Sequence, residues 1–258
     1  PRLGEEADAE RIHYRRLTMR YHDVLATSPV EIFYCGSLEG KAVARILTDV
    51  LATMPRGEID EDIGTDIRMN ALEEQPRYVT ETLPVAQGQL AVGYRLGTCM
   101  AEPDIPALFV FNALYGGCVT SKLFLNVREK LSLCYYASSA YHRSKGIVTV
   151  SSGIECRDVE TAKREILAQL ASVQRGEFEE WEVEGARACL IASLESRGDS
   201  AGRMEENALG QAATGIRETA DELIAALRAV TNERIAEAAQ SMTLDTVYFL
   251  TGEDSKDE

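Results

Sequence analysis

The sequence predicts an α+β fold: a largely antiparallel sheet with helices packed on one face. Two observations point there. The β-prone runs occur in hairpin-like pairs, and the segments with helical character follow one another in runs, whereas a parallel α/β sheet would alternate the two. A third sets the scale, because 258 residues that are 45% hydrophobic and 27% charged have the balance of a globular chain able to bury a core without staples.

Taken in order, residues 4–27 are rich in Glu, Arg and Ala without proline and then meet Ser28-Pro29, so a leading helix is expected to stop there. Val30 to Gly36 (VEIFYCG) reads as a short strand, with Ser37 as N-cap of a helix over Glu39 to Leu51. Residues 53–77, with Met54-Pro55, Gly57, Gly64 and an acidic patch from Glu58 to Asp62, show no sustained period and read as an excursion. Tyr78 to Val85 and Gln89 to Leu96, split by Gln87-Gly88, are expected to form a hairpin. Two helices, Ala107 to Tyr115 and Thr120 to Leu131, follow around a break at Gly116-Gly117, and Leu133 to His142 with Gly146 to Glu155 form a second hairpin.

Val159, Ala162, Ile166, Leu170 and Val173 recur three and four apart, an amphipathic stripe that must face a core. Glu179 to Ser196 continues the helical character, as do residues 200–213, 219–229 and 231–241, with Thr219 and Glu222 placed as a capping box. Leu244 to Leu250 is the closing strand, and 253–258 is a charged tail.

Charge and cysteine usage narrow the function classes. Lys and Arg number 27 against 42 Asp and Glu, a formal charge of −15, so the average surface repels a phosphate backbone and nucleic acid is not expected as a partner. No apolar run approaches the roughly 18 residues that span a bilayer, and residues 1–28 are charged, with no signal-type stretch. No membrane partner is expected. Six scattered cysteines (Cys35, Cys99, Cys118, Cys134, Cys156, Cys189) read as free thiols, which favours a cytoplasmic location.

Several familiar chemistries fail on spacing. His13, His22 and His142 are too far apart for H-E-x-x-H or H-x-x-E-H, and no C-x-x-C occurs, so no local zinc site can be written. Gly117 to Lys122 lacks the glycine that a P-loop places before its lysine, and Gly36-Ser37-Leu38-Glu39-Gly40 is not a nucleophile elbow. What remains is Phe111 to Glu155, where Lys122, Arg128, Lys130, Arg143 and Lys145 form a basic island in an acidic chain. A solvated helix end accounts for such cations by itself.

Ser121-Lys122-Leu123-Phe124, Val127-Arg128-Glu129-Lys130, Leu133-Cys134-Tyr135 and the hairpin to Ser152-Gly153 closely resemble the C-terminal domain of the M16 (insulinase, mitochondrial processing peptidase) family. The likeness runs from about Pro29 to Leu250 and is greatest to bacterial two-chain members, on the side of the subunit that lacks the zinc motif. The resemblance implies a LuxS/MPP-like metallohydrolase fold. It implies residues 1–28 as a leading helix or linker from a missing N-terminal domain, 29–252 as the C-terminal-type domain, and 253–258 as a tail. It also implies an H-x-x-E-H partner domain or subunit carrying zinc, no cofactor in this chain, and an unfolded peptide as substrate. Arg128 and Tyr135 match the family's Arg-x6-Tyr pair, so they are the expected substrate and transition-state contacts. Gly116 and Gly117 stand where a longer glycine-rich substrate loop occurs in a processing-peptidase subunit. On this reading the chain is one part of a zinc endopeptidase and is inactive alone; the competing reading is a peptide-binding or interaction module that has lost the reaction.

Overall fold

A computed structural model describes residues 4–60, 75–97 and 104–252. In chain order the helices and strands are α1 (Glu6–Glu10), α2 (Tyr14–Thr27), α3 (Gly40–Leu51), β1 (Arg77–Thr82), β2 (Gly88–Arg95), α4 (Ile105–Asn112), β3 (Cys134–His142), β4 (Ile147–Ile154), α5 (Val159–Gln174), α6 (Glu180–Glu195), α7 (Ala201–Thr214), α8 (Ala220–Arg228), α9 (Asn232–Gln240) and β5 (Thr243–Thr251). Two π-helical segments, Ala113–Gly117 and Leu123–Lys130, lie between α4 and β3. The middle of the acidic excursion, Cys99 and the tail 253–258 lie outside the described residues.

The chain divides into two compact units, Pro1–Asp66 with Ala201–Gly215, and Ile67–Ser200 with Ile216–Glu258. In the first, the expected single leading helix is two. Its interruption has a local cause: His13 has extended backbone and its side chain accepts a hydrogen bond from the Arg15 N–H at 3.3 Å, making it the N-cap of α2. Glu39 rather than Ser37 precedes α3 at the cap position. Val30 to Gly36, expected as a strand, joins no ladder among the described residues, and Val30, Ile32 and Tyr34 are exposed. Propensity makes a run fit for a sheet, but a strand also needs a neighbour to pair its N–H and C=O groups.

The second unit is built on a five-stranded sheet of order β1-β5-β2-β4-β3, parallel between β1 and β5 and antiparallel elsewhere. The β3–β4 hairpin matches expectation. The expected hairpin of β1 with β2 does not form, because β5 lies between them. Burial explains the order. Leu90, Val92 and Tyr94 of β2 are each 1% exposed, which suits a strand with neighbours on both sides, whereas β1 (RYVTET) has exposed positions along its length and takes the edge.

Alternate residues of the sheet point into one core. Leu90, Val92, Tyr94, Ala137, Val148, Val150 and Val247 are buried on the face that meets Phe111, Ile166, Leu227 and Ile235 of the helices. Full burial of each large aliphatic side chain contributes roughly 1.5–3 kcal/mol. α4 is apolar on nearly every side, with five buried residues. Its start is fixed by Asp104, which accepts from the Ala107 N–H at 3.1 Å and from Arg234 Nε and Nη2 at 2.5 and 2.7 Å. The predicted capping box of α8 is present in full, Thr219 and Glu222 each satisfying the other's backbone N–H.

Candidate functional site

The segment from α4 to β3 is wound more loosely than an α-helix. Leu131 N–H donates to Asn126 O at 3.2 Å, five residues back, and closes the π-helical Leu123–Lys130. Ser132 then takes a left-handed backbone (φ 49°), and the chain reverses into β3. This places Arg128 in the last turn before the reversal and Tyr135 just beyond it.

Arg128 has a side chain 40% exposed; its guanidinium carbon stands 4.6 Å from the Phe124 ring centroid, and Nη1 is 3.5 Å from Glu129 Oε1. The one-turn spacing of Phe124 and Arg128 brings a cation over an aromatic face, which orients the guanidinium without consuming its donors. Around it is a shallow cavity of about 260 Å³ lined by Gly116, Gly117, Cys118, Val119, Phe124, Arg128, Tyr136, Ala137 and Ser138. The charge of Arg128 also reaches Cys134: burial pushes that thiol up, while the Ser152 hydroxyl and Arg128 oppose the shift.

Tyr135 is 67% exposed and lines a different, larger cavity of about 830 Å³, with Thr80, Gln87, Glu155, Arg157 and Phe249 among its walls. The separation follows from register. Cys134 pairs with Ile154 and Tyr136 with Gly153, so Tyr135 is the extra residue of a bulge. Tyr136 occupies the regular position, and its ring lies so close over Gly153 that a Cβ there would come within 2.6 Å of it. Arg128, Gly116 and Gly117 thus share one cavity, and Tyr135 opens onto another.

Gly116 and Gly117 differ in kind. Gly116 is buried, and a Cβ on it would meet the Ser139 N and Leu123 Cδ1 at 2.7 Å, so close packing alone requires glycine there. Gly117 is exposed. Sequence reasoning missed Phe124 and Tyr136 as walls of the Arg128 cavity. Phe124 was detectable, four residues before Arg128 on one helical face; Tyr136 was not, since a bulge cannot be read from the run LCYYASS.

Two of the five cations in the expected basic island are paired within the fold. Lys122 is buried against Glu182, Nζ to Oε1 at 3.1 Å, and Arg143 Nη1 lies 3.5 Å from Glu218, so their charges are spent within the fold. Arg128 keeps a half-exposed guanidinium. Among the described residues no group of three or more His, Cys, Asp or Glu could hold a metal ion. His13 and His22 belong to the first unit, while His142 Nε2 is 3.0 Å from Thr149 Oγ1 in the second. Among the same residues no helix is long and apolar enough to cross a membrane.

Residues 12–190 match a family model described as the peptidase M16 inactive domain. The probable inactive metalloprotease YmfF of Bacillus subtilis is 32% identical over 251 residues, 96% of this chain and 58% of that protein. An uncharacterized zinc protease of the same organism, YmxG, is 28% identical over 179 residues, 66% of this chain and 43% of its own length. The crystal structure of a conserved protein from Enterococcus faecalis V583 superposes with a TM-score of 0.86 at 29% identity, covering all of this chain and 60% of that one. The chain therefore spans less than two thirds of each of these relatives. With the α+β architecture and the family match over most of its length, the chain belongs to the M16 peptidase family, as an inactive-type C-terminal domain.

Proposed function

We propose that this chain forms the non-zinc wall of an M16-type peptidase, in which Arg128 and Tyr135 contact a peptide held against a partner H-x-x-E-H domain or subunit. The observation that carries the reading is Arg128: a half-exposed guanidinium, steadied by Phe124 and facing a cavity walled by Gly117 and β3. Its five N–H donors suit peptide carbonyl oxygens and the negative charge that grows on the scissile carbonyl. Tyr135, on the bulge, offers an exposed hydroxyl to a neighbouring stretch of the same peptide. The zinc belongs to the partner.

A second reading is a peptide-binding module without chemistry, favoured by the relative described as a probable inactive metalloprotease. One substitution separates the two. In the assembled complex Arg128→Ala is expected to lower kcat/KM by about 10²–10³, the usual effect of removing one donor to a developing oxyanion, with peptide affinity changed far less. Full turnover with weakened peptide binding would favour the binding module, and unchanged values of both would remove Arg128 from the site.

A further inference from the structure

Two of the described cysteines, Cys118 and Cys189, lie on segments that pack together behind the glycine segment. Cys118 follows Gly116-Gly117, and its Sγ lies 3.2 Å from both Ala113 O and Thr120 Oγ1. Thr120 packs directly on α6: a Cβ added to Gly185 would lie 3.0 Å from Thr120 Oγ1 and 3.5 Å from its Cβ. Cys189 is four residues beyond Gly185, one turn along the same helical face. Cys118 is thereby the neighbour of Cys189 across the packed segments; burial first, and then the Cys118 thiol beside it, push Cys189 above the ordinary cysteine range. Cys189 is exposed and Cys118 half-buried, so a small oxidant reaches the pair from solvent.

We propose that Cys118 and Cys189 form a reversible disulfide, a redox modification site that ties the glycine wall of the Arg128 cavity to α6. The oxidant is of the peroxide class. One sulfur attacks a peroxide oxygen, the O–O bond breaks, and the sulfur becomes a sulfenic acid as one water leaves; the second sulfur then displaces the hydroxyl, forming the S–S bond and releasing a second water. In sum two thiols and one hydrogen peroxide give one disulfide and two waters, the peroxide taking two electrons. The bond closes a long loop of chain. It joins Cys118, a wall of the Arg128 cavity, to a helix whose Val183 and Ala186 are fully buried. The site holds whether or not the peptidase reading does.

Treatment of the reduced chain with a small excess of hydrogen peroxide tests it by intact mass and by digestion under non-reducing conditions. The expected product has lost two hydrogens, contains a Cys118–Cys189 peptide at least about tenfold above any other pair because the fold holds these thiols together, and returns to the starting mass with dithiothreitol. Hydrogen exchange at the amides of Gly117 to Thr120 slows in the oxidised form. Cys189→Ser, at an exposed position, abolishes both effects while keeping the fold. Oxygen addition with both thiols still alkylatable, crosslinks dominated by other cysteines, or unchanged exchange at the glycine segment would overturn the proposal.

Discussion

Two tyrosines show how a single hydroxyl links core and stability. Tyr94 of β2 and Tyr115 of the first π-helical segment are fully buried, their hydroxyl oxygens 3.3 Å apart, and Tyr115 donates to Ile166 O at 3.1 Å. Burial pushes Tyr94 up to about 12, with the Tyr115 hydroxyl opposing, and pushes Tyr115 well above the ordinary value. Since the unfolded tyrosines ionise near pH 10, these shifts leave stability intact below that pH. For Tyr94 it falls between about pH 10 and 12, and Tyr115 adds a loss in the same direction as the pH rises further. Tyr115→Phe should cost about 1–3 kcal/mol at pH 8, because Tyr94 loses its partner and Ile166 O its donor, and should flatten the alkaline loss. Urea unfolding at pH 8 and pH 11 measures both; an unchanged midpoint and an unchanged alkaline slope would refute the hydroxyl chain.

At the scale of elements, the Arg128 segment is fastened to α6 through the Lys122–Glu182 pair, whose side chains are each 9% exposed. Glu182 also accepts from the Glu179 N–H at 2.8 Å, so one carboxylate both caps α6 and neutralises the lysine. Lys122→Met leaves that carboxylate buried without a counter-charge and should cost about 3–5 kcal/mol. Adding Glu182→Gln, which keeps an acceptor for Glu179, should recover most of it. Denaturant midpoints of the single and double variants decide the matter, and a single-variant cost below about 1 kcal/mol would contradict a buried pair. The same pair marks a limit of the sequence. Periodicity revealed α5, and the box at Thr219 and Glu222 announced α8, because those signals lie within a few residues of one another. Nothing near Lys122 reveals a partner sixty residues on, so by sequence alone its charge reads together with that of Arg128. The β1–β2 hairpin failed for a like reason, since the strand that separates them is the last in the chain. Arg128, its spacing to Tyr135 and the glycines were legible from local motifs; the bulge that sends Tyr135 to a second cavity was not.

For the molecule as a whole, the sheet and helices of the second unit carry the half-exposed Arg128 guanidinium and the exposed Tyr135, in a chain of net charge −15. The proposed chemistry rests on a zinc-bearing partner. The alternative, an isolated binding module, has the same fold and differs in company and turnover. The most direct measurement is purification of the natural full-length protein, with mass spectrometry and metal analysis of what comes with it. The account predicts an H-x-x-E-H chain or segment in equal amount, zinc confined to it, and chelator-sensitive peptide cleavage by the assembly. A protein that purifies alone, without that motif anywhere in its full length and without cleavage, would contradict the account and leave a module that binds peptides.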